Sequence, residues 1–194
     1  SANVKEALES GASPNAKDEY GESPLINASR GESLDVVKLL INAGARLDTK
    51  GERGWTALRW SIDKRREEIA LFLIQSGADV NSIDRNRETP LYWSVFQQLD
   101  AVTKRLISAG ADVNIVTKAN ATCLRTAVSR PENMDIVELL VENGARLDQS
   151  PFDLFFSAVS TAVNYGDSSP LQYLLNIGLE CYREFPNGRN VIDF

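Results

Sequence analysis

The chain's three tryptophans, Trp55, Trp60 and Trp93, all lie between residues 55 and 93, with Arg53 and Arg59 beside the first two and Tyr92 and Phe96 beside the last. Broad rings next to guanidinium groups are the chemistry of interface anchoring, because they bury large areas at little entropic cost. Bond-breaking chemistry has less to work with. The sequence contains no histidine, which removes the commonest general acid/base and the commonest metal ligand together. Asp and Glu total 27, and a carboxylate pair can in principle act alone. Asp79, Asp112 and Asp148, however, fall in loop and cap positions, where carboxylates serve the backbone. No glycine-rich phosphate cradle and no His/Cys metal spacing is found. No catalytic residue, cofactor or metal is therefore expected, and the aromatic group is the leading candidate site.

The elements that must hold these side chains follow from a repeat. Gly11, Gly44, Gly77, Gly110, Gly144 and Gly178 are separated by steps of 33, 33, 33, 34 and 34 residues. Before each of the last five runs an apolar pattern of helical period, as in VVKLLINAG, IALFLIQSG, VTKRLISAG, IVELLVENG and LQYLLNIG. The glycine is the natural left-handed stop for each such helix. About twenty residues before a stop comes a second signal, GESPLINAS, GWTALRWS or ETPLYWSV. There Ser or Thr caps a helix, and Pro can occupy its first position, where the missing N–H costs nothing.

This pattern resembles the ankyrin repeat, with its Thr-Pro-Leu start, inner helix, outer helix and Gly-Ala-Asp-Val-Asn loop. The resemblance implies an all-α solenoid in which each repeat adds a β-hairpin finger and two antiparallel helices, with five full repeats and a half repeat at each end. One helical pair cannot bury its apolar face alone, so stacked neighbours share an elongated core. A single domain over 1–194 is expected, in segments of about 1–17, 18–50, 51–83, 84–116, 117–150, 151–184 and 185–194. The half repeats arise either from trimming or as degenerate caps.

The later segments depart from the pattern. Arg87 stands where the fourth finger should carry glycine, which predicts a different turn or strain. The fifth keeps only Thr122 and Leu124 of its start and gains one residue within Ser129 to Asn133. The sixth, SPFDLFFSAVSTAVNYGDSSP, predicts a longer apolar inner helix and a loop around Gly166 and Pro170. One reading is an end cap that must face water. The other is a reaching arm, with Tyr165, Tyr182, Phe185 and Arg189 as its candidate contacts.

The resemblance also implies that binding uses the finger tips and the exposed side of the inner helices. Mapped onto this sequence, those positions give Tyr20, Glu22, Arg53, Trp55, Trp60 and Trp93 as partner-binding candidates, and Arg59, Tyr92 and Phe96 beside them join the set. For Trp60 and Trp93, packing between inner helices is the competing reading. The expected function is non-enzymatic binding of a folded protein partner. Two alternatives stand beside it: a dedicated inhibitor that masks a bacterial hydrolase with the irregular C-terminal region, and a structural segment of a longer array.

A net charge of -6 argues against nucleic acid and anionic membrane surfaces, which call for clustered Lys and Arg. No uninterrupted apolar run of about 18 residues is present, so no membrane span is expected. Cys123 and Cys181 lie more than one repeat apart, which predicts two thiols and no disulfide. A monomer in a reducing, cytoplasmic setting is the default expectation; periplasmic or secreted placement requires an export signal removed ahead of residue 1.

Overall fold

The computed structural model describes residues 2–130, 133–149 and 151–179, the side chain of Phe152 excepted. The chain forms two compact units, 1–120 and 121–194.

In the first unit, a lone helix α1 (Ala2–Glu9) precedes three helical pairs. The inner members are α2 (Pro24–Arg30), α4 (Ala57–Asp63) and α6 (Pro90–Phe96); the outer members are α3 (Leu34–Asn42), α5 (Glu67–Gln75) and α7 (Asp100–Ser108). Inner helices pack on inner ones and outer on outer, while each inner helix also packs on its own partner. Helices this short are not stable alone. Burial holds them: Leu25, Ile26, Leu58, Ile62, Leu73, Leu91, Leu99 and Leu106 have essentially no exposed surface. Each such side chain contributes about 1.5–3 kcal/mol.

Side-chain caps start the inner helices, and glycine stops end the outer ones. Ser23, Thr56 and Thr89 accept the N–H of Ile26, Arg59 and Tyr92 at 3.3, 3.2 and 3.0 Å. At the other end, Gly44 has φ of 88° and its N–H reaches the Ile41 carbonyl, while Ala45 donates to Leu40. The same pair of bonds recurs at Gly77 and Gly110, so the glycine step is a backbone requirement repeated. Side chains then tie each loop to the next one. Asn15 donates to the Gly44 carbonyl at 2.9 Å and accepts from the Arg46 N–H at 2.8 Å. Asn81 repeats both bonds on Gly110 and Asp112, and Asp48 accepts from the Asp79 N–H.

The expected β-hairpin fingers are not strands. Among the described residues no strand is present. Each finger is one tight turn closed by two backbone bonds: Asp18 N–H to the Glu22 carbonyl with Gly21 N–H back to the Asp18 carbonyl, Gly51 to Trp55 with Gly54 back to Gly51, and Asp84 to Glu88 with Arg87 back to Asp84. Both bonds close the turn itself, and no strand ladder follows among the described residues. Arg87 adopts φ of 60°, beside 73° and 75° for Gly21 and Gly54 at the matching positions, so the fourth finger keeps the same turn with a strained residue.

The second unit contains the pairs α8 (Cys123–Val128) with α9 (Met134–Glu142), and α10 (Pro151–Tyr165) with α11 (Ser169–Asn176). Helix α8 packs on α10 and α9 on α11, around Leu124, Ile136, Leu140, Leu154 and Leu174. The long inner helix expected from the sixth segment is α10, 15 residues against 6 for α8. Thr161 donates its hydroxyl to the Val128 carbonyl at 2.8 Å and so links α10 to the end of α8. Cys123 is buried; Cys181 lies outside the described residues.

Candidate functional site

Trp60 and Trp93 stand 33 residues apart, each two positions after the apolar residue, Leu58 or Leu91, that anchors its inner helix. The caps at Thr56 and Thr89 therefore turn both indoles to the same side. Trp55 enters from the third finger, and Arg59 follows one turn later on α4. The result is a column of alternating rings and cations. The Arg30 guanidinium lies 3.8 Å from the centre of Trp60, and Trp60 meets Trp55 edge to face at 4.5 Å. Arg59 lies between two indoles, 4.0 Å from Trp55 and 3.9 Å from Trp93. Trp93 contacts Phe96 at 5.2 Å, and Phe96 stacks on Tyr92 at 6.5 Å.

Carboxylates hold the column from behind. Trp55 Nε1 donates to Asp84 Oδ2 at 3.1 Å, and Trp93 Nε1 to Glu88 Oε2 at 2.9 Å. Glu22 pairs with Arg30 and keeps it over Trp60. Arg59 is only 3% exposed, yet its Nε, Nη1 and Nη2 atoms have no hydrogen-bond acceptor, and the Asp63 carboxylate stands off at 3.7 Å. Burial pushes its pKa down to about 10, partly countered by Asp63, Asp84 and Glu88, so it remains a cation at neutral pH. Stacking contributes up to about 2 kcal/mol per ring. Unsatisfied donors cost about 1–3 kcal/mol each. With two rings stacked and three donor nitrogens unpartnered, the cost equals or exceeds the gain, so fold stability alone does not account for placing an arginine there.

The expected site residues divide by burial. Arg59, Trp60 and Glu22 are buried and form the column's interior instead of an exposed surface, Trp60 being 7% exposed. Neighbours from adjacent segments cover them. Trp55, Tyr92 and Trp93 are half-buried. The open positions are Phe96, 40% exposed at the column's end, Tyr20, 60% exposed on the second finger, and Arg53, which lies 5.3 Å from Trp55 and 5.7 Å from Trp60. Tyr20 makes no ring contact with the column. Tyr165 is exposed at the end of α10 in the second unit; Tyr182, Phe185 and Arg189 lie outside the described residues.

Sequence reasoning missed Asp84. Its Oδ1 accepts the N–H groups of Asn86 and Glu88 at 2.8 and 3.0 Å while Oδ2 holds Trp55, so one carboxylate fixes both the fourth finger and the third finger's indole. A signal existed: Asp18, two repeat steps earlier, closes its own turn the same way on Tyr20 and Glu22. Among the described residues no group of three or more His, Cys, Asp or Glu is placed to hold a metal ion, and no helix is long and apolar enough to cross a membrane.

Residues 1–84 match a family model of ankyrin repeats in three copies, and residues 86–118 match a single ankyrin repeat. No curated protein matches the chain. The matched stretch contains the whole column and stops before the segments whose motifs have drifted.

Proposed function

The chain belongs to the ankyrin-repeat family, and on that premise we propose that it binds a folded protein partner through the fingers and inner-helix faces of its second to fourth segments. Ankyrin repeats are protein-interaction modules, typically without catalysis, and this reading assigns the chain no reaction. The observation that carries the proposal is the Arg30 to Tyr92 column. One ion pair and two indole hydrogen bonds fix it, while Arg53 and Phe96 face outward from it and Tyr20 is exposed on the second finger. Rigid aromatic groups at a fixed spacing lose little entropy on binding.

Immobilised chain should capture the partner from an extract of the source organism. The double variant Phe96→Ser with Tyr20→Ser, both exposed positions, should lose that capture while its helical circular dichroism stays that of the wild type. Unchanged capture by the variant overturns the face.

A second reading gives the C-terminal segments an inhibitory contact of their own. Phe156, Val163 and Tyr165 are exposed on α10, and a cleft lined by Arg125, Asp153 and Phe156 runs beside them. A Phe156→Ser, Val163→Ser chain that still captures the partner but no longer blocks the partner's activity would favour this reading.

A further inference from the structure

Charge around the column is sorted by direction. Over residues 50–66 the sequence carries Lys50, Arg53, Arg59, Lys64, Arg65 and Arg66 against only Glu52 and Asp63, in a chain of net charge -6. The carboxylates nearest the rings face inward: Glu22 holds Arg30, Asp84 holds Trp55, and Glu88 holds Trp93. Several cations are also committed. Arg59 is buried, Arg66 pairs with Glu32 at 3.0 Å, Lys50 donates to the Ile83 carbonyl at 2.8 Å, and Arg65 donates to Gln97 beside Phe96.

What remains outward is Arg53, Lys64 and Arg85. Arg53 and Lys64 lie 5.7 and 5.6 Å from the Trp60 ring, and the Arg85 side chain runs close by Gly54, next to Arg53. Neither Arg53 nor Arg85 forms an ion pair among the described residues. Lys64 meets Asp63 at 3.2 Å, but it is half exposed, and such a surface pair contributes little. Glu52 is the one carboxylate facing out from the third finger. From this positive rim the column runs through Trp55, Arg59 and Trp93 to an apolar end made by Phe96 and Tyr92.

We infer that the partner docks an acidic segment here, its carboxylates meeting Arg53, Lys64 and Arg85 and an apolar side chain between them lying against Phe96 and Tyr92. The inference rests on the docking face proposed above and adds the chemistry of its occupant. Rim cations steer an anionic segment toward the face, and the apolar contact holds it there. A bare polyanion lacks the second half.

The test uses the whole chain and acetylated, amidated peptides free of Trp and Tyr and labelled with fluorescein. One carries Leu-Phe between two Asp-Glu pairs. A second replaces the acids by Asn and Gln, and a third replaces Leu-Phe by Ser-Ser. Because the protein's three tryptophans all belong to the column, their emission reports occupancy directly beside the label's anisotropy. The acidic apolar peptide should bind and shift the tryptophan emission, and both controls should bind at least about tenfold more weakly, a difference of about 1.4 kcal/mol. Arg53→Glu with Lys64→Glu should weaken the first peptide by a similar factor, with circular dichroism unchanged.

Equal binding of the Asn/Gln peptide overturns the acidic assignment. Equal binding of the Ser-Ser peptide reduces the face to a general polyanion surface, nucleic acid included, and overturns the inference as well. If no peptide binds while Phe96→Ser with Tyr20→Ser still abolishes capture of the partner, the acidic segment is wrong and the docking face stands.

Discussion

Arg59 concentrates the tension in this molecule. Its aliphatic stem and planar head fill the gap between Trp55 and Trp93, and its charge has no hydrogen-bond acceptor. Truncation removes the filling and leaves two indoles facing a void, so Arg59→Ala should lose about 2–4 kcal/mol in urea unfolding followed by circular dichroism. Arg59→Met keeps most of the volume and discards an ion that burial penalises. Its loss should be less than half that of the alanine variant. Equal losses for the two would assign the role to charge and not to packing.

Single side chains are also where the sequence misleads. The 33-residue step placed Trp60 and Trp93 on one side of successive inner helices, and the structure puts them there. Their different burial was not legible, because it depends on which side chains the fold brings over each indole: Arg30 from the preceding segment stacks on Trp60 at 3.8 Å while Trp55 meets it at 4.5 Å. Glu22 was read as a tip residue for the same reason: its partner, Arg30, lies at the far end of α2 and only the fold brings them together.

At the scale of elements, turns decide the fine energetics. Asp18 holds the second finger through its backbone bonds, chiefly from Glu22, and these hold its carboxyl below the usual carboxylate pKa of 3.8. A depressed folded-state pKa means that the contribution is present above the ordinary value and is lost as pH falls through the folded one. An NMR titration should therefore place the Asp18 midpoint below 3.8, with the Tyr20 and Glu22 amides moving alongside it. In Asp18→Asn those amides should no longer titrate.

Between α6 and α7, Gln98 sits at φ of 56°, in the left-handed region, with its N–H on the Val95 carbonyl. Substitution Gln98→Gly should raise stability by about 1 kcal/mol, since relief of the left-handed penalty exceeds the added chain entropy. A drop in melting temperature would show that the Gln98 side chain makes contacts worth more than the strain. Helices, caps and glycine stops were legible because each is a local backbone demand met by a small set of residue types. The fingers were overread as hairpins, since a five-residue turn and a true ladder begin with the same residues and differ only in the bonds that follow.

For the molecule as a whole, the two compact units differ in how closely they follow the repeat. Family similarity ends at residue 118, and the second unit pairs a helix of 6 residues with one of 15 across its inner row. Repeat stability is a sum of unit and neighbour terms, so an irregular end contributes less. Tryptophan emission follows only the third and fourth segments, whereas helical circular dichroism follows every helix. The circular dichroism signal should begin to fall at a lower urea concentration than the emission; superimposed curves would make the unfolding two-state.

The side-chain links at Asn15, Asp48 and Asn81 bear on how such a chain can change over generations. Every link joins a loop only to the one that follows it, through the same positions of the 33-residue period. Duplicating or excising one whole period would leave each of these junctions reading as before. The array is thus written in a unit of inheritance larger than the residue, and its length is open to revision one period at a time.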